Sequence, residues 1–178
     1  MRVQVLDKTF KEFISEEEIK NRVAILGKMI EEDYKGKKPV FLGILNGAFI
    51  FLADLIRAVN LECEVSFMKL SSYKGFTSTG EVVFSGPIDP MLKGRDIIIV
   101  EDIIDSGKTM KAFLPALQSI SPKSIRIASL LIKWDKLEVD LKPEYIGFEI
   151  PPEFVVGYGL DYDGFGRDLR SVYILDGG

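Results

Sequence analysis

Short unbroken apolar runs, separated by amphipathic segments, dominate the pattern of this chain. Residues Val40–Leu45 form one such run, residues 97–100 form a second, and the mostly apolar residues 125–132 form a third. Runs of this kind suit strands that are buried on both faces of a parallel sheet covered by helices. The pattern therefore predicts an α/β fold, with a twisted, mainly parallel sheet flanked by helices.

Helical patterns lie between these runs. Ser15 followed by Glu18 is a capping box that opens a segment with apolar residues on one helical face. Residues 49–56 are predicted to form a buried helix. A third helix is predicted after Thr109, and because Pro115 lies more than a turn inside it, we expect a kink or an early break there.

Weaker patterns predict the remaining strands. Residues 3–6 favour a short strand, and residues 61–67 alternate as a half-exposed strand would. Residues 81–84 are predicted to return from it. Residues 145–148 and 172–175 are further short strands. A length of 178 residues indicates that 1–178 is a single domain.

Composition narrows the functional classes. A net charge of −4 argues against a nucleic-acid partner, and the single cysteine, Cys63, rules out an intrachain disulfide. Asn46, Asp54 and Arg57 interrupt the most apolar region, so no membrane span or membrane partner is expected. No signal-peptide pattern is present, and we expect a cytoplasmic protein.

The chain contains no histidine. Ser-His-Asp catalysis, Cys-His catalysis and histidine-ligated zinc are therefore excluded. Acid–base chemistry must fall to carboxylates, lysine or tyrosine, and a bound metal should be a hard cation such as Mg²⁺ on oxygen ligands.

The candidate chemistry concentrates in residues 96–110, DIIIVEDIIDSGKTM. Glu101 and Asp102 follow the apolar run, and a small polar turn then opens a helix, where free N–H groups can bind a phosphate. The ending Gly-Lys-Thr is that of an ATP-binding loop, but such a loop needs glycine where Asp102 stands. The alternative reading is an ordinary strand-to-helix turn with capping residues. The turn consists of Asp105, Ser106, Gly107, Lys108 and Thr109.

Two segments resemble a known family. VEDIIDSGKT, residues 100–109, resembles the phosphoribosyl-pyrophosphate signature of type I phosphoribosyltransferases, in the form typical of the 6-oxopurine (hypoxanthine-guanine) branch. FVVGYGLDYDGFGRDLR, residues 154–170, is similar to the closing segment of that branch, and Lys133 precedes it at matching spacing. The resemblance spans roughly residues 39–175 and implies the same fold, with a small hood built from the N-terminal region and about 134–178.

The resemblance implies roles on the phosphate side of a site. Glu101 and Asp102 would bind the ribose hydroxyls, with or without a bridging Mg²⁺, and the turn that begins at Asp105 would bind the 5′-phosphate. Asp105 would also act as general acid–base at purine N7. Arg167 would bind pyrophosphate together with a turn that contains a cis peptide bond, although many relatives carry lysine at the second position of this turn. That turn is Leu45, Asn46 and Gly47.

Further roles are implied on the base side. Lys133 would bind the 6-oxygen of the purine, Phe154 would stack on its ring, and the Val155 backbone would read the base edge. Asp161 would bind a second Mg²⁺. A lid that closes over the reacting sugar would contain Ser72 and Tyr73.

The implied reaction is transfer of a 5-phosphoribosyl group from phosphoribosyl pyrophosphate to N9 of hypoxanthine or guanine, in a homodimer or homotetramer. Two alternatives remain open at this point. One is a transferase of the same fold that acts on xanthine or adenine. The other is a non-catalytic regulator that senses a nucleotide and binds nucleic acid.

Overall fold

The computed structural model describes residues 1–72, 82–84 and 86–177, with the backbone alone at 71, 72 and 82–84. Of the predicted lid, Tyr73 lies outside the described residues, and Ser72 is described only as a strand residue. The strands are β1 (Arg2–Val5), β2 (Lys8–Ile14), β3 (Val40–Leu45), β4 (Glu64–Ser72), β5 (Val82–Phe84), β6 (Asp96–Ile104), β7 (Ser124–Ile132), β8 (Tyr145–Glu149), β9 (Val155–Val156) and β10 (Val172–Leu175). The α-helices are α1 (Glu16–Asp33), α2 (Phe49–Ala58) and α3 (Lys108–Ser119), and 3₁₀ turns occupy Pro90–Leu92 and Trp134–Lys136.

A six-stranded sheet forms the centre of the molecule. Its strand order is β5-β4-β3-β6-β7-β8, and every neighbouring pair is parallel except β4 with β5. The predicted α/β fold is confirmed. Residues alternate along β3 and β6 between two apolar cores, one beneath α1 and α2 and the other beneath α3. Both faces are therefore buried, which is why these strands are unbroken apolar runs.

The central strand β6 is longer than its apolar run. Its pairing with β3 ends at Val100 opposite Gly43, whereas its pairing with β7 continues to Ile104 opposite Ile132. The sequence suggested that Glu101 and Asp102 follow the end of the strand. In the structure they lie inside it. They stand where the sheet opens on the β3 side.

A second, antiparallel sheet has the order β1-β2-β10-β9, and we call it the hood sheet. It joins the N-terminal hairpin to strands from the end of the chain, around an apolar cluster that contains Phe10, Val156 and Tyr173. The short N-terminal strand was predicted, but β2 was missed. Strand β8 lies within the segment from about 134 to 178 that was expected to contribute to the hood, but it belongs to the large sheet.

The helices follow the sequence pattern with one exception. The capping box is formed, since the Ser15 hydroxyl accepts from the Glu18 N–H and the Glu18 carboxylate accepts from the Ser15 N–H. Helix α3 runs through Pro115 to Ser119, so the predicted early break is wrong. Burial of Phe113 and Leu117 holds the helix together although proline removes one backbone hydrogen bond.

Strand β4 is half exposed, as predicted. The apolar residues of the predicted alternation, Val65 and Phe67, lie on its open face, however. Val65 and Phe67 are 40% and 53% exposed, whereas Met68 is buried. Helix α2 packs over β3 and β6 and leaves this part of the sheet uncovered. None of the helices in the described ranges is both long and apolar enough to cross a membrane.

Candidate active site

The predicted site residues gather at the carboxyl ends of three neighbouring strands. The turn from Leu45 follows β3, the turn from Asp105 follows β6, and Lys133 follows β7. The Lys133 N–H donates to the Ile104 carbonyl at 3.0 Å, which holds two of these ends together. This is the edge at which open parallel sheets bind their ligands.

The first turn approaches Asp102 so closely that only glycine fits. A Cβ on Gly47 would lie 1.6 Å from Asp102 Oδ2. The Leu45–Asn46 peptide bond is cis, as the family resemblance implied. The turn leads directly into α2, so its backbone N–H groups lie beside the carboxylates of β6.

The paired carboxylates on β6 are costly to ionise. Burial raises the pKa of Glu101 well above its ordinary value, and the neighbouring Asp102 charge raises it further. Burial also raises the pKa of Asp102 to about 6, against the opposing effects of the Ile103 N–H, which donates to it, and of Arg167. Carboxyls held in this way favour a cation as partner.

The turn after β6 forms a small anion-sized recess. Gly107 has φ 76° at the start of α3, and a Cβ there would lie 2.6 Å from Val139. Lys108 is paired with Glu138, outside the recess. A cavity of about 120 Å³ is lined by Glu101, Ile103, Ile104, Asp105, Ser106, Gly107, Thr109 and Met110.

A second cavity, of about 240 Å³, lies beside the first. Its walls contain the three residues predicted to contact the base and also Asp161, and it shares Ile103 and Asp105 with the first cavity. Lys133 is only 4% exposed, and its Nζ lies 3.4 Å from Asp105 Oδ2. The lining residues are Asp102, Ile103, Asp105, Lys133, Phe154, Val155, Leu160 and Asp161.

The ring of Phe154 is positioned by the hood sheet. It packs edge-on against Tyr162, with centroids 5.9 Å apart, and tilted against Phe10 on β2 at 6.3 Å. Phe154 itself is 43% exposed, so one face stays open to the cavity. An open aromatic face suits stacking of a planar ring.

Asp161 and Arg167 are paired with each other. Arg167 Nη2 lies 2.8 Å from Asp161 Oδ1, and Arg167 Nη1 donates to the Gly159 carbonyl at 2.7 Å. Gly159 in turn lies against the first turn, since a Cβ on it would be 2.2 Å from the Gly47 carbonyl oxygen. The hood thus brings Arg167 to the same end of the sheet as the β3 turn.

The three predicted magnesium ligands do not form one cluster. Within the described ranges, no three Asp, Glu, Cys or His side chains converge on a point that could hold a metal. Glu101 and Asp102 are adjacent on β6, and Asp161 reaches the site from the hood. Each position offers one or two carboxylates, which fits Mg²⁺ ions that take most of their ligands from water and substrate phosphates.

Sequence reasoning missed several residues that shape the site. Ile103 and Leu160 line the second cavity but carry no chemical signal, and Phe10 is more than a hundred residues from the ring it supports. Lys136 was not singled out, although its Nζ lies 3.9 Å from Asp105 Oδ2. Its position three residues after Lys133 was the available signal.

Comparisons with known proteins agree with this fold and this arrangement of residues. A model of the phosphoribosyl transferase domain matches residues 13–163. Curated relatives include the hypoxanthine-guanine phosphoribosyltransferase of Lactococcus lactis, 46% identical over 96% of this chain and 93% of the relative. The hypoxanthine phosphoribosyltransferase of Escherichia coli is 47% identical over 94% of this chain and 98% of its own.

A solved structure agrees with the sequence relatives. The hypoxanthine-guanine phosphoribosyltransferase of Bacillus anthracis superposes with a TM-score of 0.87 at 37% identity, over 93% of this chain and 96% of that one. The chain belongs to the hypoxanthine-guanine phosphoribosyltransferase family, the purine-salvage branch of the phosphoribosyltransferases.

The raised pKa of Asp102 predicts a stability effect in metal-free protein. Above pH 6 the folded state must hold a buried carboxylate, whereas the unfolded state ionises it freely. Asp102→Asn should therefore raise the free energy of unfolding at pH 8 by ~3 kcal/mol. The gain should shrink as the pH falls from 6 towards 4, because the native carboxyl then becomes neutral.

Urea unfolding in the presence of a chelator measures this difference. The exposed Asp140→Asn is the matched control and should change stability little at either pH. An Asp102→Asn variant that is no more stable than the wild type at pH 8 would contradict the conclusion that the ionised Asp102 carboxylate destabilises the folded state.

Proposed function

We propose that this chain transfers the 5-phosphoribosyl group of phosphoribosyl pyrophosphate to N9 of hypoxanthine or guanine, giving IMP or GMP and pyrophosphate. The observation that carries the proposal is the pair of adjoining cavities that share Asp105 and Ile103. One cavity has the recess for a phosphate and the other has the groups for a 6-oxopurine. The bond between sugar and base would form where they meet.

On the sugar side, the chain supplies orientation and charge. Backbone N–H groups of the turn from Asp105 to Thr109 would bind the 5′-phosphate at the start of α3, where the helix dipole is positive. Glu101 and Asp102 would hold the ribose hydroxyls. Fixing the sugar in this way supplies the entropy of orientation before the bond breaks.

The leaving group needs positive charge. Arg167 would bind pyrophosphate with its planar guanidinium, beside the backbone of the turn at Asn46 and Gly47. Mg²⁺ bound through Glu101, Asp102 or Asp161 would neutralise charge on the leaving oxygens. Asn46 is a short neutral side chain, so the contribution of this turn rests on its backbone.

On the base side, a buried lysine selects the acceptor. The Lys133 ammonium would donate to the 6-oxygen of hypoxanthine or guanine while Phe154 stacks on the ring and the Val155 backbone reads the base edge. A 6-amino group would instead place a donor against a donor in a buried site, which is strongly disfavoured. Asp105, shared by both cavities, would exchange a proton with purine N7 as the bond to N9 forms.

The proposal includes a homodimer or homotetramer located in the cytoplasm. Phe49, Val65 and Phe67 are large apolar side chains that remain 40–53% exposed on α2 and β4. Phe67 lies over Gly43 at the edge of the uncovered sheet face. Exposed apolar residues of this size are typical of surfaces that bind another subunit.

An initial-rate assay tests the reaction directly. Purified wild-type protein with phosphoribosyl pyrophosphate and Mg²⁺ should turn over hypoxanthine or guanine and leave adenine unreacted. Each base is offered separately, with xanthine included, and pyrophosphate release is measured. Turnover of adenine alone would overturn the base-site assignment, and no turnover of any base would overturn the enzymatic function.

Lys133 should control the choice of base. Lys133→Ala removes the only cation predicted to face the 6-position, so kcat/KM for hypoxanthine should fall by roughly 10- to 100-fold. The ratio of hypoxanthine to adenine turnover should fall with it. The exposed Lys142→Ala serves as the control for loss of a charge. An unchanged base preference would show that Lys133 does not read the base.

Asp105 should act in the chemical step. Asp105→Asn keeps the shape and removes proton transfer, so kcat should fall by ~10²- to 10⁴-fold while the KM for phosphoribosyl pyrophosphate changes little. The exposed Asp135→Asn is the control on the neighbouring loop. Equal effects on kcat and KM would refute the acid–base role.

A further inference from the structure

Tyr158 occupies a strained position in the hood. It lies between Gly157 and Gly159, and the three residues have φ values of 98°, 50° and 101°. Glycine adopts positive φ freely, but a bulky residue in this region is strained. Such a conformation persists only where the surrounding contacts enforce it.

One side-chain contact fixes this position. The Tyr158 hydroxyl donates to Asp54 Oδ2 at 2.6 Å, and the Tyr158 N–H donates to the Leu169 carbonyl at 2.7 Å. Tyr158 is 6% exposed. Burial raises the pKa of Tyr158 strongly, and the hydrogen bond to Asp54 raises it further, so the hydroxyl keeps its proton and remains a donor.

The acceptor connects this contact to the site. Asp54 is on α2, whose first residue, Phe49, follows the turn at Asn46 and Gly47 by only one residue, Ala48. The bond therefore joins the helix that carries the pyrophosphate turn to the hood loop that carries Arg167. Few other polar contacts in the described residues link these two segments.

The neighbour of Tyr158 shows what the bond positions. Gly159 packs against the Gly47 carbonyl with no room for a Cβ, accepts from Arg167 Nη1 and donates to the Arg167 carbonyl at 3.0 Å. Any displacement of the loop at Tyr158 would move Gly159 away from Gly47. It would move Arg167 with it.

We propose that Tyr158 and Asp54 are a positioning pair for the pyrophosphate half of the site. Their hydrogen bond holds the hood loop against the β3 turn, so that Arg167 and the Gly47 backbone reach the same ligand. This inference rests on the phosphoribosyl transfer proposed above. Neither residue lines either of the two adjoining cavities of the site. They act through Gly159 and through the start of α2.

The pair can be altered without unfolding the protein. Asp54 lies on the wall of a surface cavity of about 590 Å³ and also lies 3.9 Å from Arg57 Nη1, so it keeps a cation and water as partners when the hydroxyl is removed. The ring of Tyr158 packs with the core formed by Leu55 and Leu160 and stays in a phenylalanine variant. Tyr158→Phe therefore removes the bond alone.

Tyr158→Phe should raise the KM for phosphoribosyl pyrophosphate about tenfold, the effect expected from losing a hydrogen bond to a charged group. The KM for hypoxanthine should change less, because neither Tyr158 nor Asp54 lines the base cavity and only Leu160 and Asp161 of the same loop do. Calorimetric titration of phosphoribosyl pyrophosphate with Mg²⁺ into base-free protein should show the same weakening. This binding measurement needs no turnover.

Tyr145→Phe is the matched control. The Tyr145 hydroxyl also donates to an aspartate, Asp33 Oδ2, at 2.6 Å, but at the amino end of β8, away from the site. Its loss should lower the melting temperature at least as much as Tyr158→Phe does. Both kinetic constants should remain those of the wild type.

A double-mutant cycle identifies the pair. Asp54→Ala should weaken phosphoribosyl pyrophosphate binding as Tyr158→Phe does, and the double variant should be no worse than either single variant. Additive effects, equal changes in both KM values, or the same kinetics in Tyr158→Phe and Tyr145→Phe would each overturn the inference. An inert wild type would instead refute the enzymatic function, and the binding titration would still decide whether the pair positions the site.

Discussion

The site depends on the close approach of three backbone segments around a half-buried carboxylate. Asp102 stands where β6 loses its pairing with β3; Gly47 packs against Asp102, and Gly159 packs against Gly47, without room for a side chain at either glycine. Glycine is required because a Cβ at either position would penetrate a neighbouring oxygen. This stack brings the β3 turn, the β6 carboxylates and the hood loop into one site.

The same stack explains the electrostatics of the site. Packing backbone against Asp102 excludes water, which raises the carboxyl pKa values on β6. The backbone of the turn at Asn46 and Gly47 lies beside these acids, and so does Arg167. A substrate that carries both hydroxyls and phosphates, accompanied by a divalent cation, satisfies both sets of groups at once, whereas a simple anion or a simple cation satisfies only one.

The strands that are buried on both faces could be predicted from the sequence because their apolar runs have no other stable location. The strands predicted over residues 40–45 and 172–175 begin and end at the residues found in the structure. The candidate site residues of β6 and of the following turn could be proposed from the sequence because their chemistry is concentrated in ten consecutive positions. Strand β2 was missed because its seven residues include three charged ones and alternate irregularly. The early break predicted at Pro115 was wrong because the burial of the helix outweighs one lost hydrogen bond.

What the sequence could not give are the contacts between distant segments. The bond between Tyr158 and Asp54 spans 104 positions, and Phe10 meets Phe154 across the hood. Each of these residues looks like an ordinary core or surface residue by itself. Local patterns carry no record of such pairings, since they depend on how the sheets are packed.

The position of β10 between β2 and β9 has a consequence for biosynthesis. The N-terminal hairpin has no partner in the hood sheet until residues 172–175 have been translated, whereas the strands of the large sheet emerge from the ribosome earlier. Domains that need such non-local pairing fold late. The half of the candidate site at the ends of β3 and β6 can therefore form on the nascent chain before the half that the hood completes, and Phe10 on β2 stays uncovered until then.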